Sequence, residues 1–151
     1  MTLKNYTSEV PVERTISYIE AYLAGCGVTG VSKAYENGIP TAIFFHIEFP
    51  PNRYTIRLPA KVAQVQEELW KDYVSTRTRH QKKKEDFKEQ AARTAWKIQQ
   101  DWVQVQMSLI KLKQADFREV FMGFLWDGKQ SYFQQLEGSK FKQLPMTTNE
   151  Q

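Results

Sequence analysis

Five positive side chains, Arg77, Arg79, Lys82, Lys83 and Lys84, fall within eight residues, Arg77-Thr78-Arg79-His80-Gln81-Lys82-Lys83-Lys84. Arginine can fork two N–H donors onto phosphate oxygens, and lysine acts as a compact point charge, so the chemistry on offer is contact with a polyanion. The whole chain is +4, from 21 basic and 17 acidic residues; outside this stretch it holds 16 basic against 17 acidic. The positive charge is therefore a property of one segment, and a concentrated field attracts polyanions more strongly than the same charge dispersed. The competing reading is a solvated linker, which is what most charge runs are.

Two further sets could carry related chemistry. Arg93, Lys97, Gln100, Gln104, Ser108 and Lys111 recur at spacings of four and three, one stripe of a helix. Such a stripe would extend a phosphate track away from the basic segment, or else be an ordinary exposed face of good helix formers. Arg53, Thr55 and Arg57 share one face of a strand, with Phe44 and His46 on the strand before it. Basic residues interleaved with an aromatic on a sheet can stack bases and hold phosphates. Phe44 and Ala42 argue instead that a helix covers this face and that the arginines pair with Glu48 or Glu67, and burial is the expectation.

Other chemistry finds little support. His46 and Glu48 point the same way but two ligands do not make a metal site, and the other histidine, His80, lies in the basic stretch. Cys26, the single cysteine, sits between glycines and reads as a small packing residue. There is no phosphate-binding glycine loop, nucleophile elbow or dinucleotide fingerprint, and no carboxylate cluster with a magnesium pattern. The expectation is a protein that is not an enzyme, with no cofactor and no metal.

The elements that must position these residues follow from periodicity. A helix beginning near Ser8 or Glu9, with Pro11 in its first turn, carries Val12, Ile16, Ile19 and Leu23 on one face and ends at Gly25 and Gly27. Three strands follow, 28–35, 39–49 and 53–58, joined by Asn37-Gly38 and by Pro50-Pro51-Asn52. On the strongest, Ile43, Phe45, Ile47 and Phe49 oppose Ala42, Phe44, His46 and Glu48. A second helix over 60–74 leads into the basic stretch, read as an exposed loop over 76–85. A long helix over 86–114 then carries two apolar stripes. Ala91, Ala95, Ile98, Trp102, Val105, Leu109 and Leu112 form one; Trp96, Val103, Met107 and Ile110 form the other. So wide an apolar arc must be buried on two sides, with Ile98 and Trp102 in the core, or with a second copy of the chain against part of 86–114. Asp116 caps a short helix carrying Phe117 to Leu125, and 131–136 is either a strand or a helical turn. The class is α+β: an α-β-β-β-α unit with a three-stranded antiparallel sheet, a basic loop, a long helix and a short C-terminal helix.

With 151 residues and 41% hydrophobic content the chain is read as one domain, 1–151, with frayed tails at 1–8 and 145–151. One cysteine excludes an intrachain disulfide, and nothing resembles a signal peptide or a membrane span, so a soluble, cytoplasmic protein with no membrane partner is expected.

The runs Val12-Glu13-Arg14-Thr15-Ile16, Ala42-Ile43-Phe44-Phe45, Ile56-Arg57-Leu58-Pro59-Ala60 and Arg93 to Gln106 resemble small uncharacterised proteins encoded by bacteriophages and prophages, over most of residues 10–140. That resemblance implies a bacterial host cell and a phage role, and transfers no catalytic residue. The α-β-β-β-α order is also similar to that of double-stranded-RNA-binding domains, although Lys61 stands nearly alone at the second helix start, where that family places its basic residues. The reading is a nucleic-acid-binding protein for DNA or RNA, serving replication, recombination or genome protection. It would bind through Arg77, Arg79, Lys82, Lys83 and Lys84, extended by Arg93 and Lys97 and, on the sheet, by Arg53 and Arg57. The alternative is an anti-defence protein that inhibits a host complex such as a CRISPR effector or nuclease, with Trp126, Tyr132 and Phe133 as exposed anchors. A nuclease built from scattered residues is a third reading.

Overall fold

Pro11 has a fixed φ and no N–H to leave unpaired, which suits the boundary of a helix. It stands at the N-cap of α1 (Val12–Ala24), so the helix starts later than Ser8, with Ile16, Ile19 and Leu23 buried as their spacing requires. The computed structural model describes residues 2–76, 79 and 81–148, which leaves Arg77 and His80 of the basic stretch outside it.

Strands β1 (Val28–Glu36), β2 (Ile39–Phe49) and β3 (Asn52–Pro59) form an antiparallel sheet in the order β1-β2-β3. Asn37 and Gly38 make the first hairpin turn with φ of 51° and 78°, values asparagine and glycine adopt at little cost. Near that turn Ala34 pairs with Ala42 but Tyr35 pairs with Pro40, so Thr41 is an extra residue in β2. This bulge shifts the alternation of the strand. Beyond it Ile43, Phe45 and Ile47 of β2 share a buried face with Ile56 and Leu58 of β3. That face belongs to one apolar cluster with α1, the long helix and Phe117 and Phe121.

The second helix, α2 (Val62–Thr76), and a 3-10 turn over Lys84–Phe87 lead into α3 (Lys88–Lys111), against which both α1 and α2 pack. Small residues make that approach possible: Ala91, Ala92 and Ala95 are buried beside Trp96, Val103 and Met107. The buried arc therefore centres on Trp96, not on Ile98 and Trp102, which are half-buried. Trp102 lies at the margin, edge-on to Phe121 at 5.6 Å and Phe124 at 5.7 Å. Further along the same stripe Val105 and Leu112 are exposed.

Two short helices, not one, close the chain: α4 (Phe117–Phe121), capped by Asp116, and α5 (Tyr132–Gly138), capped by Ser131. Ser131 Oγ accepts from the Gln134 N–H and Gln134 Oε1 accepts from the Ser131 N–H, a reciprocal box that settles 131–136 as helical. The N-terminal segment is held, not frayed. Asn5 donates to Asp101 at 2.8 Å, Lys4 pairs with the same carboxylate, and Thr94 donates to the Asn5 carbonyl. Among the described residues no helix is long and apolar enough to cross a membrane.

Trp96 is fully buried and its indole N–H donates to the Pro40 carbonyl at 2.8 Å. Trp96→Ala is expected to cost about 3–5 kcal/mol in urea melts, and Trp102→Ala clearly less. A Trp96→Ala loss below about 1 kcal/mol would remove it from the core. Thr15 is also fully buried, and its hydroxyl has no hydrogen-bond partner among the described residues. Thr15→Val keeps the shape and drops that unpaired group, so stability should hold or rise by up to about 1 kcal/mol; a fall of that size would contradict the assignment.

Candidate nucleic-acid interface

The described part of the basic segment is anchored, where a free loop was expected. The Tyr73 hydroxyl accepts from the backbone N–H groups of Gln81 at 2.9 Å and Lys82 at 3.0 Å, and the Lys83 N–H donates to Asp86 Oδ2 at 2.8 Å. Beneath it Trp70, Tyr73 and Phe87 form an aromatic cluster, with Tyr73 and Phe87 5.2 Å apart. Lys82 Nζ stands 5.7 Å from the centre of the Phe87 ring. Satisfying the backbone in this way leaves the side chains of Lys82 and Lys83 exposed and without an ion pair among the described residues, and Arg79 is likewise exposed and unpaired there. Lys84 is different. It pairs with Glu67 of α2, and its hydrogen bond and charge hold the Glu67 carboxyl below its usual range. Glu85 and Asp86 follow directly, so the local field is weaker than the run of basic residues suggests. Arg77 lies outside the described residues.

The N-terminal half of the α3 stripe is engaged within the molecule, while Gln104, Ser108 and Lys111 further along it are exposed. Arg93 is half-buried, its Nε donating to the Ser8 carbonyl at 3.2 Å and its Nη2 to Gln90 Oε1 at 2.8 Å. Lys97 donates to Gln100 Oε1 at 3.0 Å, and Gln100 itself is buried. The physical reason is that α1 and the N-terminal segment pack along this face. Beside it, partial burial pushes the Asp101 carboxyl up, but hydrogen bonds from Lys4 and Asn5 and the nearby charges of Lys4 and Lys97 outweigh this and hold it below its usual value.

The second face of the sheet, expected under a helix, is open. Gly30, Ser32, Phe44, His46, Glu48, Arg53, Thr55 and Arg57 are all exposed or half-buried, and Ala42 alone on that face is buried. What covers it in part is a loop. The Trp126 N–H donates to the Thr55 carbonyl at 2.8 Å, and Leu125 bridges Ile56. This lays Trp126 beside Phe44, with ring centres 6.0 Å apart and nearly perpendicular. The Arg57 guanidinium carbon lies 5.2 Å from the Trp126 ring centre and 5.9 Å from that of Phe44. At the next pair on this face, two register positions along, His46 Nδ1 is 2.8 Å from Thr55 Oγ1. Arg53 stands opposite Glu48 in the register, yet neither Arg53 nor Arg57 has an ion pair among the described residues. Arg57 also lines a groove of about 800 Å³ with Lys61, Lys88, Glu36 and Glu137, where the charges are mixed.

Sequence reasoning placed Arg53 and Arg57 together but missed Trp126 as their neighbour. The signal was the turn Asp127-Gly128, which returns the chain; nothing in spacing says that it returns along β3. Cys26 packs half-buried with its sulfur 3.1 Å from that of Met107, and burial pushes its thiol up. Among the described residues no group of three or more His, Cys, Asp or Glu could hold a metal ion. The chain matches no protein-family model, no curated protein and no solved structure.

Asp127 sets the position of Trp126. Its Oδ1 accepts from the N–H groups of Lys129 and Gln130, both at 2.8 Å, and its Oδ2 from the Gln135 side chain at 2.9 Å. The bonds from Gln130 and Lys129 hold its carboxyl below the usual value. A depressed folded value means the contribution is complete above the ordinary carboxylate range, about 3.9, and is lost only as pH falls through the folded value. At pH 7, Asp127→Ala should therefore alter the near-ultraviolet circular dichroism of Trp126, and Asp127→Asn, which keeps an acceptor, should alter it less. An unchanged Asp127→Ala spectrum would show that the turn does not position the indole.

Proposed function

We propose that this protein binds nucleic acid without catalysing a reaction on it, in a phage-type role in replication, recombination or genome protection inside a bacterial host. The observation that supports this most directly is the anchored turn that presents Lys82 and Lys83 to solvent while its backbone donors are satisfied by Tyr73 and Asp86, with Arg79 exposed nearby in sequence. Cations held in this way lose little backbone freedom when they meet phosphates, so less of the Coulomb gain is spent on ordering. The contacts carry no base information, and sequence preference is not part of the reading.

A second reading, inhibition of a host defence complex, draws on the C-terminal part of the chain. Phe133 and Phe141 are exposed with ring centres 5.7 Å apart, and Leu144 and Met146 are exposed after them. Trp126 does not serve as an exposed anchor there, because it is engaged with Arg57. A tagged protein that retains one host protein from nuclease-treated lysate, and loses it on Phe133→Ala, would favour this reading.

Replacing Lys82 and Lys83 together with alanine tests the first. Lys84 is committed to Glu67, so two phosphate contacts at most are removed. The slope of log K against log salt should flatten by up to roughly 2 units, for every sequence alike, and thermal stability should move within about 0.5 kcal/mol. Equal affinity and an equal slope for the variant would make the segment a linker, and absence of wild-type binding at moderate salt would bring the host-protein reading to the front.

A further inference from the structure

We infer that the open face of the sheet, centred on Arg57 between Phe44 and Trp126, is a stacking surface for unpaired bases, so that the protein prefers single-stranded nucleic acid to duplex. The inference rests on the nucleic-acid reading above and adds to it which form is bound and where.

Three observations converge. The first is Arg57 itself, a half-buried arginine held near two aromatic rings with no carboxylate partner among the described residues. A structural arginine in such a place would ordinarily be neutralised by an acid. This one is instead fixed in orientation by stacking, which spares the rotamer entropy that a free arginine loses on binding. The second is the row beside it. His46 is tied to Thr55, and the nearest atom to a Cβ built on Gly30 would be His46 Cδ2 at 3.5 Å, so the absence of a side chain at residue 30 leaves the imidazole uncovered from β1. Phe44 and His46 are two residues apart on one strand, roughly 7 Å at the usual rise, and present two ring systems in succession. The third is charge. Arg53 and Arg57 flank this row; Glu48 stands opposite Arg53 and Glu36 at the far end of β1, yet neither pairs with an arginine among the described residues, which leaves both guanidiniums open to a phosphate chain crossing the sheet.

The rings also discriminate. Phe44, His46, Trp126 and Arg57 are all recessed to half-burial, and the face is three strands wide. A duplex keeps its base faces inside and offers only its backbone, which cannot enter between Trp126 and β2. Unpaired bases can be splayed onto aromatic rings and guanidinium planes while their phosphates reach Arg53. The basic segment by α2 supplies attraction common to both forms; the sheet supplies the difference between them.

The test measures fluorescence anisotropy with a labelled single-stranded oligonucleotide of about 15 nucleotides, as DNA and as RNA, and with the matching duplex. Wild type should bind the single strand more tightly. Phe44→Leu and Arg57→Gln, substitutions that keep most of the bulk, should each weaken single-strand binding about tenfold and change duplex binding little. The Lys82 and Lys83 double variant should weaken both forms alike. Photocrosslinking of wild type to a single strand carrying halogenated uracil should label a peptide containing Phe44 or Trp126, a readout that does not depend on any variant folding. If wild type binds, but the two sheet variants bind the single strand as wild type does and the label falls elsewhere, this inference is overturned while the nucleic-acid reading stands. If wild type binds neither form, both fall together.

Discussion

The hydrogen bond from the Trp96 indole to the Pro40 carbonyl ties the longest helix to the sheet beside the bulge near the first hairpin turn. Thr41 is an extra residue there, so the ladder of β1 and β2 cannot satisfy every backbone group. A buried carbonyl left unpaired would cost about as much as a lost core contact. The Trp96 N–H meets Pro40, Gln99 meets the Pro59 carbonyl, and the Ala60 N–H meets the Thr41 carbonyl. All three bonds cluster at the same end of the sheet, and two come from successive turns of α3. The helix is thereby fixed against the sheet, and both α1 and α2 pack on it, with Ala91, Ala92 and Ala95 among its buried residues. The large indole can be wholly buried because its neighbours along the helix are small.

That arrangement explains what periodicity could and could not convey. The α-β-β-β-α order, the Asn37-Gly38 turn and the buried stripe of α1 depend on local patterns and were legible. Which of two adjacent stripes on α3 becomes the centre of the core depends on where α1 and α2 sit, and adjacent stripes look alike in spacing. Trp96 and Trp102 differ by six residues, and both lie within the same broad apolar arc. Hydrogen-bonding partners decide between them, and Pro40 is far away in sequence. The N-terminal segment was unreadable for the same reason: Asn5 and Ser8 are ordinary polar residues until Thr94, Arg93 and Asp101 of α3 come up against them.

The candidate interface divides along the same line. Charge density at Arg79 to Lys83 is visible in any listing of residues. Its anchoring by Tyr73 is not, nor is the loss of Lys84 to Glu67. On the sheet, alternation placed Phe44, His46, Arg53 and Arg57 on one face correctly, but the apolar side chains of Phe44 and Ala42 suggested a covering helix. The cover is a single indole delivered by a turn some seventy residues later, far beyond the reach of any local pattern. An aromatic cover gives the arginine a partner without cancelling its charge.

Pairing within the molecule then determines which cations remain available. Lys4 is taken up by Asp101, Lys33 by Glu20, Lys71 by Glu68, Lys84 by Glu67 and Arg118 by Asp116. Each of these exposed or half-exposed pairs adds little to stability, because solvent screens it and two long side chains must be ordered. Their larger effect is on the field. They cancel charge beside α1, α2 and α4, and so sharpen the contrast with Arg53, Arg57, Arg79, Lys82 and Lys83, which have no such partner among the described residues. Arg53 and Arg57 lie on an open sheet face, and Lys82 and Lys83 on a turn anchored over an aromatic cluster. Arg57 lies near the Phe44 and Trp126 rings and Lys82 near the Phe87 ring, contacts that leave the positive charge unneutralised for a partner to use.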